Sequence, residues 1–190
     1  FCLTSISTGA NLAASAASRM FAYDEAVAFY LRARSLLEEH DVRTVGVLEA
    51  LGELYRRRGS WQEAQDAYAA ALELLDDSAV LRRAALHHKL GIVLTAGNRR
   101  TEAWEALECA RLQLESVAYM REEAWYAVWI AVLLDQAEWH YWGGSTDTMA
   151  EILQLLQPVV REWGSHRQQI ARQQLATRLE FRRTRYIIGD

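Results

Sequence analysis

The segment LGELYRRRGSWQEAQDAYAAA, residues 51 to 71, carries a pattern of glycine, alanine and aromatic residues that recurs further along the chain. The first copy has its marker residues in the order Leu51-Gly52, Tyr55, Gly59, Ala64, Tyr68 and Ala71. The second copy has Leu90-Gly91, Gly97, Ala103, Leu107 and Ala110, and an earlier segment repeats only the second half as Tyr23, Ala26, Tyr30 and Ala33. Equivalent residues of the two copies, such as Ala64 and Ala103, are 39 residues apart. A pattern that repeats at a period of this length predicts an array of helix pairs.

The composition around this pattern favours an all-α fold. The chain has 190 residues, of which 51% are hydrophobic, and it contains ten glycines and a single proline. No Val/Thr-rich alternating run typical of a strand is present in the sequence. A chain of this length and apolar content can bury a continuous core.

Periodicity and capping signals predict about nine helices, and we expect them to form one domain. Ser60-x-x-Glu63 and Ser165-x-x-Gln168 have capping-box spacing, and glycines stand at the expected helix ends, namely Gly59, Gly97, Gly143-Gly144 and Gly164. The predicted helices are 8–20, 23–39, 43–58, 61–75, 79–96, 99–116, 119–142, 146–162 and 166–187. They group into units 7–40, 43–77, 79–117 and 119–163, closed by a helix over 165–188.

The repeated pattern resembles the tetratricopeptide repeat (TPR). Its first helix carries Leu-Gly and Tyr, its turn carries Gly, and its second helix carries Ala, an aromatic residue and Ala. Residues 45–76 match best; residues 84–116 have Leu94 in place of the Tyr, and residues 7–39 match only in the second helix. The resemblance implies a right-handed α-solenoid of antiparallel helix pairs, a TPR-like superhelix.

Beyond residue 118 the register of the repeat is lost in the sequence, and we expect Pro158 to interrupt the second helix of an irregular fourth pair. Residues 119–190 resemble the C-terminal helical-repeat regions of bacterial signalling ATPases of the STAND class. The chain also begins with Phe1 rather than Met, so we expect it to be a fragment of a larger protein.

The TPR resemblance implies a concave groove lined by the first helix of each pair. Its candidate partner-binding residues are Asn11, Ser15, Ser18, Gly46, Glu49, Glu53, Arg56, Ala85, His88, Ile92 and Thr95. Their spacing of three and four residues aligns them on one helix face. Such a groove binds an extended or helical peptide; the alternative is that these are ordinary solvated positions.

A chaperone-adaptor role is disfavoured within that family. Some members hold a C-terminal carboxylate with Lys, Asn and Arg from successive first helices, but Ala50 stands here where the Asn is needed. Glu49 and Glu53 add negative charge, which opposes an anionic ligand.

Aromatic residues crowd the segment 119–142, where Trp125 and Trp129 are candidates for a secondary aromatic surface that contacts a partner. The other interpretation is a helix packed on both faces between the third unit and the C-terminal pair, because a helix that is apolar all round is normally buried.

Charge and motif content argue against other classes of function. The formal charge of −4 disfavours nucleic acid, and the arginines of the last helix suggest a solvated face or a contact to a neighbouring domain. No apolar stretch of membrane-spanning length is present. Cys109 is expected on the inner side of its helix, and His87 and His88 lack the spacing of a zinc pair. We therefore expect no enzyme activity, metal or cofactor, and a cytoplasmic location.

The sequence thus predicts a protein-interaction scaffold that binds a peptide or partner domain in the concave groove. The alternative is a sensory or autoregulatory arm of a multidomain signalling ATPase or transcription regulator, in which the partner is another domain of the same polypeptide. The oligomeric state does not follow from the sequence.

Overall fold

The computed structural model describes residues 21–38, 41 and 43–188, and every regular element in these ranges is helical. The described residues form eight α-helices, which are α1 (21–35), α2 (Arg43–Arg58), α3 (Trp61–Glu73), α4 (Val80–Ala96), α5 (Arg100–Ser116), α6 (Glu123–Gly143), α7 (Thr146–Trp163) and α8 (His166–Ile188). A short 3-10 helix, Ala118–Met120, precedes α6.

The all-α prediction is confirmed, and helix ends from α2 onward fall close to the predicted ones. The first of the nine predicted helices, 8–20, lies outside the described residues. The expected interruption at Pro158 is wrong, because α7 runs through it to Trp163. Pro158 is exposed, so the carbonyl four residues before it can be solvated when the proline removes its helical donor.

The chain divides into two compact units, residues 1–75 and 76–190. The division lies two residues before the end of the predicted second unit, 43–77. Among the described residues, the first unit contains α1 to α3 and the second contains α4 to α8.

In the first unit the Leu-Gly motif makes room for a buried ring. Tyr68 is fully buried, and a Cβ added to Gly52 would lie 2.6 Å from its Cδ1 atom. Because glycine has no side chain, α2 can lie directly against the Tyr68 ring of α3. A small apolar core of Val27, Leu51 and Ala67 lies nearby.

The second unit repeats this contact and adds three helices. A Cβ on Gly91 would lie 2.9 Å from the side chain of Leu107, so α4 and α5 pack as α2 and α3 do. Helix α6 contacts α4, α5, α7 and α8. This arrangement agrees with the interpretation of the Trp-rich segment as a helix packed on both faces.

The three helix hairpins share a register when they are aligned on the left-handed residue of their turn. These residues are Gly59, Asn98 and Gly144, with φ of 84°, 61° and 86°. Gly97 marks the end of α4 as predicted, with φ −78°, and the residue after it, Asn98, takes the left-handed position. Asparagine tolerates this conformation better than other non-glycine residues.

The register that seemed lost after residue 118 continues in the structure. Five residues beyond the left-handed residue come Ala64, Ala103 and Met149, all fully buried. Nine beyond come Tyr68, Leu107 and Leu153, and seven before come Gly52, Gly91 and Ala137, again all buried. The pair formed by α6 and α7 therefore keeps the buried positions of the other pairs, but two of them hold larger residues. Ala137 stands in place of glycine, and Met149 stands in place of alanine.

Helix α8 closes the second unit. Its predicted capping box forms, since Gln168 N–H donates to Ser165 Oγ at 3.3 Å and Ser165 N–H donates to Gln168 Oε1 at 2.9 Å. The box predicted at Ser60 does not form, because the Ser60 side chain makes no capping hydrogen bond. Within the described ranges, no helix has both the length and the apolar character needed to cross a membrane.

Candidate functional site

A groove runs along α4 and α6 in the second unit. Its walls are residues that share one face of each helix by three- and four-residue spacing. We define the α4/α6 groove by Leu81, Ala85, His88, Ile92 and Thr95 on α4 and by Ala124, Val128, Asp135, Glu138, Trp139 and Trp142 on α6. The α4 side contains all the groove residues that the sequence predicted on this helix, namely Ala85, His88, Ile92 and Thr95.

One end of the groove is an apolar pocket of about 480 Å³. It lies near the start of both helices and is lined mainly by the side chains of Leu81, Ala85, Val117, Trp125 and Val128. The two charged residues of its lining are Arg82 and Glu122, both exposed. This end can take an apolar side chain.

The other end is a cleft of about 320 Å³, which we call the polar aromatic cleft. It lies between α4, α5 and α6, and its lining consists of Gly91, Ile92, Thr95, Asn98, Arg100, Leu107, Asp135, Glu138, Trp139 and Trp142. The Thr95 hydroxyl donates to the Gly91 carbonyl of its own helix at 2.8 Å. The polar side chains of the cleft therefore come mainly from α6 and from the start of α5.

A hydrogen bond joins the two walls between the pockets. His88 Nε2 lies 2.7 Å from Asp135 Oδ2, and the two side chains are 14% and 38% exposed. On α4, His88 stands between Ala85, which lines the apolar pocket, and Ile92, which lines the cleft. The pair fixes the distance between α4 and α6 at this point.

The aromatic wall of the cleft is ordered by ring packing. The Trp139 ring lies 4.5 Å from the Trp104 ring and 5.3 Å from that of His140, measured between centroids. Burial is the main cause that lowers the pKa of His140, which favours the neutral form of its imidazole. Trp142 is 62% exposed and leaves a large apolar surface at the mouth of the cleft.

Two arginines approach the acidic and aromatic groups of the cleft. The guanidinium carbon of Arg100 lies 6.0 Å from the Trp139 ring centroid, within the range of a cation–π contact. Arg178 on α8 donates to Glu138 Oε1 at 3.1 Å, and both side chains are nearly half exposed. An exposed pair of this kind contributes little to stability.

The predicted groove residues of the first unit form an ion cluster. Arg56 and Arg57 donate to Glu53 at 2.7 to 2.8 Å, and the Tyr68 hydroxyl lies 3.5 Å from Glu53 Oε2. The hydrogen bond from Arg56 is the main cause that lowers the pKa of Glu53 to about 2. Glu49 is half-buried on the same helix, whereas Asn11 and Ser15 lie outside the described residues.

The aromatic surface predicted at Trp125 and Trp129 needs correction. Trp125 is only 3% exposed, and its Nε1 donates to the Leu114 carbonyl at 2.9 Å. Trp129 is half-buried and stacks on Trp125 at 5.4 Å. These rings pack into the core because α6 is covered on several sides, and the exposed tryptophan of α6 is Trp142.

The arginines of the last helix make hydrogen bonds to α6 and α7. Arg172 donates to the Leu153 carbonyl at 3.1 Å, Arg183 to Asp147 at 2.9 Å, and Arg182 to the Tyr141 carbonyl. The expectation of a solvated face is therefore wrong for Arg172 and Arg182, which are half-buried, whereas Arg183 is exposed. The prediction that Cys109 lies on the inner side of its helix is also wrong, because Cys109 is exposed while its neighbour Ala110 is fully buried.

Sequence reasoning missed the α6 side of the groove because it did not follow the register past residue 118. Counted from Gly144, Glu138 occupies the position that Ile92 has before Asn98 and Glu53 has before Gly59. That count would have identified Glu138, but it depends on knowing which residue is left-handed.

Within the described ranges, no group of three or more His, Cys, Asp or Glu side chains is arranged to hold a metal ion. Comparisons of the chain with protein-family models, curated proteins and solved structures found no match.

Proposed function

We propose that the chain is a right-handed α-solenoid of TPR-like helix pairs and that it serves as a protein-interaction scaffold, binding a partner peptide in the α4/α6 groove. The observation that carries this proposal is the pair of neighbouring pockets along one helix face, the first apolar and the second polar and aromatic. Grooves with apolar area and a few placed polar groups suit peptide recognition.

The shared register of the hairpins supports the solenoid. Three pairs use the same positions for close approach and for filling the space between helices, as at Gly52 and Tyr68 or Gly91 and Leu107. Stacked repeats of this kind produce extended concave surfaces, and binding surfaces lie there in solenoid proteins.

The groove is preformed, which lowers the entropic cost of binding. His88 and Asp135 are bonded across it, and α6 packs on four other helices. A ligand that enters such a groove orders few protein side chains, so more of the contact energy remains as affinity.

The spacing of the pockets sets an expectation for the ligand. Ala85 and Ile92 are seven residues apart on α4, which corresponds to about 10 Å at 1.5 Å per residue. An extended peptide rises about 3.3 Å per residue. An apolar anchor and a polar anchor about three or four residues apart would therefore reach both pockets.

The test uses peptides selected from a random dodecapeptide phage library against the 190-residue chain. Affinities of the synthesised peptides are measured by titration calorimetry for Ala85→Trp and Ile92→Trp, which fill the two pockets without adding charge. Leu112→Trp is the matched control, because Leu112 is 56% exposed on α5 and lies outside both pockets.

We expect the two groove variants to lose about tenfold or more in affinity, in line with the cost of losing an anchoring pocket, and the control to bind as wild type does. Equal affinity in all three variants, with unchanged melting temperatures, would refute groove binding.

A further inference from the structure

We infer that the polar aromatic cleft binds an arginine side chain of the partner peptide. This inference rests on the proposed function and specifies the chemistry of one of its two anchors. The candidate ligand group is a guanidinium, which is planar, cationic and able to donate several hydrogen bonds in a fixed fork.

The charge of the cleft lining favours a cation. Asp135 and Glu138 contribute two carboxylates to the lining and Arg100 contributes one positive charge. Arg178 is not a lining residue but pairs with Glu138 from α8, so in the part of the chain that the structure describes the carboxylate without a guanidinium partner is that of Asp135. A carboxylate or phosphate of a ligand would face two like charges in a partly desolvated site, and such a charge is costly to bury without compensation. The overall formal charge of −4 acts in the same direction at longer range.

Among the described residues, each of the two carboxylates has one oxygen without a hydrogen-bond donor. Asp135 uses Oδ2 for His88 and Glu138 uses Oε1 for Arg178. The hydrogen bonds of the described residues leave Asp135 Oδ1 and Glu138 Oε2 without a donor. The two residues are three apart on α6 and therefore share a face, so a single guanidinium entering the cleft can reach both.

The aromatic wall suits the same group. Trp139 and Trp142 line the cleft beside the carboxylates, and Trp142 is 62% exposed. Guanidinium groups stack on such rings. The chain already places its own guanidiniums here, with Arg100 over the Trp139 ring and Arg178 on Glu138. These are exposed contacts of small energy, so a partner arginine that gains several contacts at once can compete with them.

The inference is tested by changing charges in the cleft, because removing its carboxylates and removing its arginine should change peptide affinity in opposite directions. The probe is the tightest peptide from the phage selection, compared with its Arg→Gln form by calorimetry at low salt. The protein variants are Asp135→Asn combined with Glu138→Gln, and Arg100→Gln alone. Asp147→Asn is the matched control, because it breaks a comparable exposed pair with Arg183 away from the cleft.

We expect the selected peptides to share an arginine and the double variant to bind about tenfold or more weakly, since it removes two charge-assisted acceptors. Arg100→Gln should bind more tightly than wild type, because a competing cation is gone, and Asp147→Asn should bind as wild type does. Arg100 is exposed and begins α5, so this second variant tests the inference even if the double variant unfolds.

Peptides without a recurring arginine, or an affinity that rises in the double variant, would overturn the inference. If Ile92→Trp abolishes binding while the double variant and Arg100→Gln leave it unchanged, groove binding stands and the arginine assignment is wrong. If Ile92→Trp also binds normally, the proposed function fails together with it.

Discussion

His88 Nε2 donates a hydrogen bond of 2.7 Å to Asp135 Oδ2, and this bond joins α4 to α6 between the two pockets of the groove. The two residues are 47 positions apart in sequence and belong to successive helix hairpins. The bond therefore sets how widely the groove opens, and it links the packing of the repeats to the shape of the site.

The His88–Asp135 bond should appear as a coupling in a double-mutant cycle. The variants His88→Ala, Asp135→Ala and their combination are unfolded in urea, and the coupling free energy is taken from the four values. We expect about 1 kcal/mol, the usual net value of a partly exposed hydrogen bond. Additivity of the two single effects would show that the contact does not hold the helices together.

Gly52 should tolerate no side chain. The variant Gly52→Ala places a Cβ against the fully buried ring of Tyr68, and we expect a loss of about 2–3 kcal/mol in the free energy of unfolding. Gly143→Ala is the matched control, because its Cβ would meet Trp139 at an ordinary 3.7 Å. A loss of the same size at both sites would contradict the packing account.

The ion cluster at Glu53 predicts a pH dependence. Its folded pKa is about 2, against an ordinary value of 4.5, and the main cause is the hydrogen bond from Arg56. Because the folded pKa is depressed, the carboxylate stabilises the fold above about pH 4.5 and loses this effect as the pH falls toward 2. The stability difference between wild type and Glu53→Gln should shrink over that range.

The same titration with Arg56→Gln provides the check on cause. Removing the main donor should raise the folded pKa of Glu53 and flatten the pH dependence of stability between pH 4.5 and 2. If Arg56→Gln shows the full wild-type dependence, the depressed pKa of Glu53 has another origin.

Helix α8 should depend more on its leucines than on its arginines. Leu175 and Leu179 are 5% and 6% exposed and pack into the core with Met149 and Leu153. We expect Leu179→Ala to cost about 2–4 kcal/mol, and Arg183→Gln, which breaks an exposed pair with Asp147, to cost less than about 1 kcal/mol. The reverse order in urea unfolding would mean that the arginines hold the helix in place.

The sequence predicted the helices well, because glycine and alanine positions mark helix ends and contacts directly. It failed where different residues serve the same role. In the turn, Asn98 takes the left-handed position that glycine has in the other two hairpins. In the last hairpin, Met149 stands where the others have alanine, and Ala137 stands where they have glycine. A search for fixed residue types misses these substitutions, whereas backbone conformation and burial show that the positions are equivalent.

The site was only half predictable for the same reason. His88, Ile92 and Thr95 follow from the clear repeat of α4, but their partners Asp135 and Glu138 lie in the helix whose register was hidden. The Trp-rich composition of α6 also drew attention to Trp125, which packs inward, because composition does not distinguish one face of an apolar helix from another.

The most direct test of groove binding is an NMR titration of the isotope-labelled 190-residue chain with a library-selected peptide. We expect amide shifts to change along the groove faces of α4 and α6, near Ala85, His88 and Ile92 and near Val128 and Asp135. Shifts confined to the outer face of α5 around Cys109 and Leu112, or to α8, would contradict groove binding.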